Sequence, residues 1–203
     1  FFSTGYLANI NAITGLARLA ASGDVSIYSA RLNHASIIDG VRLASAQTKA
    51  VVTLFDHQNL DSLQEALQKD THSLKLLVTD GVFSMDGDLA PVKRLIEIAQ
   101  EYDALLLIDD AHGFGVLGKY GHGILEQFDV CSERIVYIGT LGKAAGVSGA
   151  FICSGAQFIE WLIQKGRPYI YSTATPPAIA HTLLSSLNLI EGDEGAARRK
   201  QLN

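Results

Sequence analysis

The chain alternates between short apolar segments and longer segments with helical periodicity. Apolar or alternating runs predict strands, and apolar residues spaced three and four apart predict helices. The predicted strands span residues 25–29, 50–55, 74–79, 104–108, 134–139 and 150–153. The predicted helices span residues 10–19, 33–43, 59–68, 91–100, 157–165 and 178–190, with an irregular segment at 168–177. This order predicts an α/β protein with a doubly wound, mostly parallel sheet and helices on both faces.

Five residues with reactive or polar side chains follow closely on predicted strands. They are His34, Ser84, Asp109, His112 and Lys143. In a doubly wound sheet, ligands bind beyond the carboxyl ends of the strands. We therefore expect these five side chains to converge on one site.

Lys143 lies in a run of small, mostly uncharged residues that extends from residue 138 to residue 150. A lysine with few charged neighbours is prone to desolvation, which lowers the pKa of the amine and makes it a nucleophile or a base. The alternative is a surface lysine in a flexible loop, because most lysines are solvated.

Asp109, Asp110 and His112 come directly after the most apolar predicted strand. Burying a charged carboxylate at the end of such a strand costs free energy unless the carboxylate pairs with a cation. One interpretation is an aspartate that pairs with a protonated ring nitrogen of a cofactor. The other is a structural aspartate that caps a turn, with His112 bonded locally.

The composition is that of a folded protein, with 48% hydrophobic and 18% charged residues in 203 and a net charge of −5. This balance argues against general binding to nucleic acid or to anionic membranes. The two cysteines, Cys131 and Cys153, have no metal-site spacing and suggest a reduced, cytoplasmic setting. The basic run at 198–200 is predicted to be the solvated face of a helix.

Three other kinds of site are compatible with parts of the sequence. Residues 113–118 match the dinucleotide fingerprint G-x-G-x-x-G, but glycines continue to residue 123 where a helix should open, and Tyr120 replaces the Ser or Thr of a phosphate loop. Ser84, His112 and Asp109 could form a hydrolase triad, although no G-x-S-x-G elbow follows a strand. A metal site built from His112, His122 and Asp109 fits no standard zinc spacing, and we expect none.

The candidate residues together match the requirements of pyridoxal phosphate. Lys143 supplies an amine for a Schiff base, and Asp109 supplies a carboxylate for the pyridine nitrogen. The predicted helix near the start of the chain follows Ser3, Thr4 and Gly5. Backbone N–H groups at such a helix start bind phosphate, so one cofactor accounts for all three features.

Five segments resemble, in order, the motifs of the α-oxoamine synthases, which are pyridoxal-phosphate enzymes of the aspartate-aminotransferase type. The segments are residues 3–9, 33–40, 82–88, 109–113 and 139–143. The resemblance covers the whole chain but only about the central half of a family member. It implies a large domain with a seven-stranded type of sheet, of which residues 1–177 are the central part. Residues 178–203 would form a helix leading toward a small C-terminal domain.

The resemblance also implies a role for each matching residue. Lys143 would form the Schiff base and later act as the acid–base group, Asp109 would pair with the pyridine nitrogen, and His34 would stack on the ring. The phenolic oxygen would be bound by His112 and Ser84. Phosphate contacts would come from Gly5, Tyr6 and Thr140, and Ser172 and Thr173 would reach the phosphate of a neighbouring subunit in a homodimer.

Segments 111–116, 143–151 and 167–174 are most similar to family members that condense L-alanine with a pimeloyl thioester of coenzyme A or acyl-carrier protein. The implied reaction is a decarboxylative condensation that yields an amino ketone in biotin synthesis. Three alternatives stay open: a relative that condenses glycine or serine, an inert fragment with the fold only, and a nucleotide-binding protein that uses the glycines after His112.

Overall fold

A six-stranded sheet forms the centre of the computed structural model, which describes residues 1–202. The strands are β1 (Val25–Ala30), β2 (Val51–Phe55), β3 (Leu74–Asp80), β4 (Ala104–Asp109), β5 (Ile135–Thr140) and β6 (Ala150–Cys153). Their order is β2-β1-β3-β4-β5-β6, and all neighbours are parallel except β5 and β6. The predicted mostly parallel, doubly wound sheet is confirmed.

The described residues contain six strands rather than the seven that the resemblance implied. Beyond β6 the sheet continues only as an isolated antiparallel bridge between Phe2 and Ala150, whose backbone groups exchange two hydrogen bonds of 2.8 Å. A single bridged residue is too short to count as a strand.

Nine helices are formed within residues 1–202. They are α1 (Gly5–Leu16), α2 (Ala35–Thr48), α3 (Asp61–Gln68), α4 (Val92–Glu101), α5 (Ile124–Phe128), α6 (Ala156–Lys165), α7 (Arg167–Ile170), α8 (Pro177–Glu191) and α9 (Asp193–Leu202). The six predicted helices are confirmed with shifted ends. The three additional ones were missed because α5 and α7 are shorter than two turns, and α9 is strongly polar and has no apolar stripe.

The sheet is covered by hydrophobic clusters on both faces. On one face α1 and α2 pack against the sheet, with Ala12, Ile13 and Ile37 fully buried. On the other face α3 and α4 contribute Leu63, Leu95 and other buried residues. Burial on both sides explains why β4 is almost entirely apolar, as expected for a central strand of a parallel sheet.

The strand order places a crevice at the carboxyl ends of β1 and β3. The chain passes from β1 outward to β2 and then returns to the other side of β1 to form β3, so the winding direction reverses between β1 and β3. Ligands of doubly wound sheets bind at such a reversal. The loops after β1, β3, β4 and β5 all begin at this edge.

The prediction that residues 198–200 form a solvated basic face is wrong for the central residue, Arg199. Arg199 is buried with 7% of its surface exposed, and its guanidinium donates to the carbonyl oxygens of Ile190 at 2.7 Å and Lys119 at 2.8 Å. These two bonds join α9 to α8 and to the loop before α5.

None of the helices formed by residues 1–202 combines the length and apolar character that crossing a membrane requires.

Candidate active site

A cavity of about 160 Å³ opens at the carboxyl ends of the strands. Eight of the ten predicted site residues line it: Gly5, Tyr6, His34, Ser84, Asp109, His112, Thr140 and Lys143. The structure therefore brings together side chains that are up to 138 positions apart in the chain, from Gly5 to Lys143. Ser172 and Thr173 do not reach this cavity and instead line a separate, larger one of about 810 Å³.

Lys143 and His112 are in direct contact at the mouth of the cavity. Nζ of Lys143 lies 2.7 Å from Nε2 of His112. This short contact requires a lone pair on one of the two nitrogens, so the pair cannot be doubly protonated. Burial lowers the pKa of both groups, and the charge of Lys143 lowers that of His112 further. The carboxylates of Asp109 and Asp80 partly oppose the effect on Lys143.

Two buried carboxylates lie side by side at the floor of the cavity. Asp80 and Asp109 are paired residues at the ends of the adjacent strands β3 and β4, with 4% and 6% of their surfaces exposed. Burial, followed by the charge of Asp109, raises the pKa of Asp80 to about 7. The backbone N–H of His34 donates to Asp80 Oδ2 at 2.8 Å. Within residues 1–202, neither carboxylate has an ion-pair partner.

Asp109 is held in place by two neutral donors. The backbone N–H of Ala111 donates to Oδ1 at 3.0 Å, and Nδ2 of Asn9 donates to Oδ2 at 2.5 Å. These two bonds fix the orientation of a carboxylate that lines the cavity.

The first turn of α1 faces the same cavity and offers free backbone donors. Thr4 is the N-cap, and its hydroxyl accepts from the N–H of Leu7 at 3.2 Å. The N–H groups of Gly5 and Tyr6 precede the first intrahelical donor, the N–H of Ala8, which bonds to the carbonyl oxygen of Thr4 at 3.1 Å. The hydroxyl of Tyr6 donates to Asp39 at 2.7 Å, so its contribution to an anion site is its backbone N–H. Together with Thr140, this turn is suited to a phosphate.

Sequence reasoning missed four lining residues: Asn9, Ser36, Asp80 and Ala111. Asp80 follows the predicted strand 74–79 directly and is the last residue of β3, so the rule that selected the other strand-end residues could have found it. Asn9 and Ser36 lie on α1 and α2 within the motif segments 3–9 and 33–40, but helical periodicity does not distinguish them from other polar helix residues.

The glycine-rich segment after His112 is a loop, and its geometry contradicts the nucleotide-binding alternative. Residues 113–123 form turns, and α5 begins only at Ile124. Gly115 has a φ of +80°, and a Cβ there would lie 2.6 Å from the Cβ of Ala144. The loop after His112 therefore packs closely against the loop that carries Lys143, which explains the need for glycine.

The buried carboxylate of Asp110 organises the other end of this loop. Its Oδ2 accepts from the N–H of Ile124 at 2.7 Å and from the hydroxyl of Tyr137 at 2.9 Å. Burial raises the pKa of Asp110 to about 7. A Cβ at Gly123, whose φ is +91°, would lie 2.0 Å from Asp110 Oδ2. Asp110 therefore fixes the loop, whereas Asp109 faces the cavity.

The hydrolase alternative has no support in the hydrogen-bond pattern. Among the described residues, no hydrogen bond joins Ser84 to His112 or His112 to Asp109; the partner of His112 is Lys143. In the same part of the chain, no group of three or more His, Cys, Asp or Glu side chains is arranged to hold a metal ion.

The fold and the cavity define a doubly wound α/β protein with a lysine, a buried aspartate and a free helix N-terminus at the strand ends. A family model described as aminotransferase class I and II matches residues 1–203. The chain belongs to this family.

The relatives of this chain include proteins named 8-amino-7-oxononanoate synthase and proteins named SPT. It is 54% identical to 8-amino-7-oxononanoate synthase of Cupriavidus taiwanensis, covering 100% of this chain and 48% of the relative. A structure of 8-amino-7-oxononanoate synthase from Francisella tularensis has a TM-score of 0.81 and 36% identity, over 99% of this chain and 56% of that one. A structure of SPT with a PLP internal aldimine has a TM-score of 0.86 and 32% identity, over 98% and 49%. The chain spans about half the length of the curated relatives it matches.

Proposed function

We propose that the protein containing this chain binds pyridoxal phosphate and condenses L-alanine with a pimeloyl thioester, releasing carbon dioxide and the thiol and forming 8-amino-7-oxononanoate. The observation that carries the proposal is the meeting of Lys143, His112 and Asp109 in one cavity with the first turn of α1. The similarity to curated 8-amino-7-oxononanoate synthases supports the choice of reaction.

The charges and donors of the cavity fit this cofactor. Two buried carboxylates face one lysine amine, so the cavity has room for a further positive charge such as a protonated pyridine nitrogen. The buried Oδ1 of Asn9 also has no hydrogen-bond partner within the described residues, which leaves an unmet acceptor beside Asp109. The N–H groups of Gly5 and Tyr6 are suited to the phosphate at the opposite end.

When bound, pyridoxal phosphate supplies an aldehyde that condenses with amines and a ring that accepts electron density. Lys143 would supply Nζ as the nucleophile, and burial lowers the pKa of this amine, which favours its uncharged form. The same nitrogen would later act as the base for the α-proton of L-alanine. Asp109 would accept a hydrogen bond from the protonated ring nitrogen.

His34, His112 and Ser84 complete the site on the rim. We assign His34 to stacking on the ring, and His112 and Ser84 to the phenolic oxygen. The contact of 2.7 Å between His112 and Lys143 supports a shared location for the phenolic oxygen and the reacting amine. Thr140 adds a hydroxyl to the phosphate contacts of Gly5 and Tyr6.

We further propose a homodimer in which Ser172 and Thr173 contribute to the phosphate site of the second subunit. The placement of both residues outside the cavity of their own chain supports this assignment. Cys131 and Cys153 are unpaired and exposed, which supports a reducing compartment such as the cytoplasm.

We also propose that residues 1–177 are the central part of a large cofactor-binding domain and that 178–203 lead toward a smaller C-terminal domain; residue 203 lies outside the described residues. The close association of α8 with the Lys143 loop, through a bond from Ser186 Oγ to the carbonyl of Ala145 at 2.5 Å, supports a connection between this helix and the site.

A second candidate is a related condensation that uses serine or glycine. This candidate is supported by the similarity in fold to the serine palmitoyltransferase of Sphingomonas wittichii, which has a TM-score of 0.85. Both candidates use the same lysine and aspartate, so they differ in substrate rather than in cofactor.

The choice can be made by incubating the complete protein and pyridoxal phosphate with pimeloyl-CoA and L-alanine, glycine or L-serine in parallel. We expect 8-amino-7-oxononanoate from L-alanine, detected by mass spectrometry, and its loss in Lys143→Ala but not in Lys119→Ala, which alters an exposed lysine. Preferential turnover of serine or glycine would contradict the choice of L-alanine as substrate. Product formation by Lys143→Ala would contradict the proposed catalytic role of Lys143.

A further inference from the structure

A continuous series of hydrogen bonds connects His34 to Asp109 through two buried side chains that sequence reasoning missed. Nδ1 of His34 lies 2.7 Å from Oγ of Ser36, and Nδ2 of Asn9 donates to the same oxygen at 2.9 Å. The second N–H of that amide donates to Asp109 Oδ2 at 2.5 Å. Asn9 and Ser36 are each 1% exposed, so water does not compete for these bonds.

The chemistry of the groups fixes the direction of every bond in the series. An ionised Asp109 is only an acceptor, so the Asn9 atom beside it must be the amide nitrogen. That nitrogen uses its other hydrogen on Ser36 Oγ. The backbone N–H of Ser36 donates to His34 Nδ1 at 3.2 Å, so the His34 side chain caps α2 and needs a lone pair on Nδ1. The Ser36 hydroxyl, whose oxygen lies 2.7 Å from this Nδ1, is then also a donor to it.

His34 therefore accepts two hydrogen bonds at Nδ1 and carries its ring proton on Nε2. A proton on Nδ1 would face the backbone N–H of Ser36, and it would deprive both that N–H and the Ser36 hydroxyl of their acceptor. The cost of unpaired buried donors maintains one tautomer. The same bonds hold the carboxylate of Asp109 in one orientation, together with Ala111.

We propose that Asn9 and Ser36 are positioning residues that set the Nε2–H tautomer of His34 and the orientation of the Asp109 carboxylate as one unit. This inference rests on the proposed function in its assignment of His34 and Asp109 to the two contacts of the pyridine ring. The two helices α1 and α2 are thereby linked to the strand end of β4, so a change at either helix residue alters both ring contacts.

The tautomer is tested by NMR of protein labelled with ¹⁵N-histidine, with His34 assigned through His34→Gln. We expect the pattern of an Nε2–H ring in the wild type, a larger share of the Nδ1–H tautomer in Ser36→Ala, where only the backbone N–H still donates to Nδ1, and the wild-type pattern in Ser36→Thr, which keeps the hydroxyl. Ser45→Ala is the matched control, because Ser45 lies on the same helix and its hydroxyl donates to Ala50 O. A wild-type proton on Nδ1, or an unchanged pattern in Ser36→Ala, would overturn the proposal.

The coupling to Asp109 is tested with Asn9→Asp, which keeps the shape of the side chain and replaces both N–H donors. Loss of a hydrogen bond to a charged group predicts pyridoxal phosphate binding that is about 10- to 100-fold weaker at pH 8, with partial recovery at lower pH as the new carboxyl protonates. Asn59→Asp is the control, since an aspartate there can still accept from the N–H of Asp61. Equal binding by Asn9→Asp and wild type at pH 8 would overturn the coupling. A wild type that binds no pyridoxal phosphate would instead contradict the proposed function and leave the tautomer result to decide the relay.

Discussion

Replacing Asp80 with asparagine should make the protein more stable at high pH and leave it almost unchanged at low pH. Asp80 is 4% exposed, and burial together with the charge of Asp109 raises its pKa from 3.8 to about 7. Between these two values the folded protein holds a proton that the unfolded chain has lost, so the free energy of unfolding falls as pH rises. A shift of about 3 pKa units corresponds to about 4 kcal/mol.

Asparagine has no such proton to lose, and its side-chain oxygen can still accept from the N–H of His34. The difference in free energy of unfolding between Asp80→Asn and wild type should grow from near zero at pH 4 to about 4 kcal/mol in favour of the variant at pH 8. Urea unfolding followed by circular dichroism, in protein freed of small molecules, measures this difference. Asp86→Asn, an exposed residue of the neighbouring loop, is the control. Parallel pH profiles for Asp80→Asn and wild type would refute the inference that burial beside Asp109 raises the pKa of Asp80.

Two further substitutions test the contacts around the loop after His112. Arg199→Ala should lower the free energy of unfolding by about 3 kcal/mol, because a buried carbonyl of Ile190 and a partly buried carbonyl of Lys119 lose a charged donor. The adjacent Arg198→Ala should change it by less than about 1 kcal/mol; similar urea midpoints for both variants would contradict the buried role. Gly123→Ala should cost more than about 3 kcal/mol because its Cβ would collide with Asp110, whereas Gly87→Ala, with φ of +77° in open space, should cost about 1 kcal/mol. If thermal denaturation shows equal losses of stability for Gly123→Ala and Gly87→Ala, the collision with Asp110 must be relieved in the folded protein.

The strands and most of the candidate site could be predicted because both depend on local patterns. β4 is apolar along almost its whole length and ends at Asp109, so the strand and its functional residue are recognised together. Parallel strands must end at the same edge, which is why Lys143 and His34 meet although they are far apart in the chain.

Asn9, Ser36 and Arg199 could not be recognised because their importance depends on how helices are rotated against the sheet and the loops. Asn9 becomes a partner of Asp109 only because the folded chain brings its amide, on α1, to 2.5 Å from the carboxylate at the end of β4. Arg199 resembles its neighbours in a basic run, yet the break at Gly192 turns its side chain toward the carbonyls of Ile190 and Lys119. Sequence periodicity records which face of a helix is apolar and contains no information about such polar contacts.

The identity of the lysine that bonds to the cofactor tests the central claim most directly. Protein incubated with pyridoxal phosphate is reduced with borohydride, digested, and analysed by mass spectrometry for the modified peptide. We predict a single major label on Lys143. Among the described residues that line the cavity at the strand ends, Lys143 is the only lysine. A label on any other lysine, or a protein that shows no visible absorbance change and no label, would contradict the assignment of this cavity as a pyridoxal phosphate site.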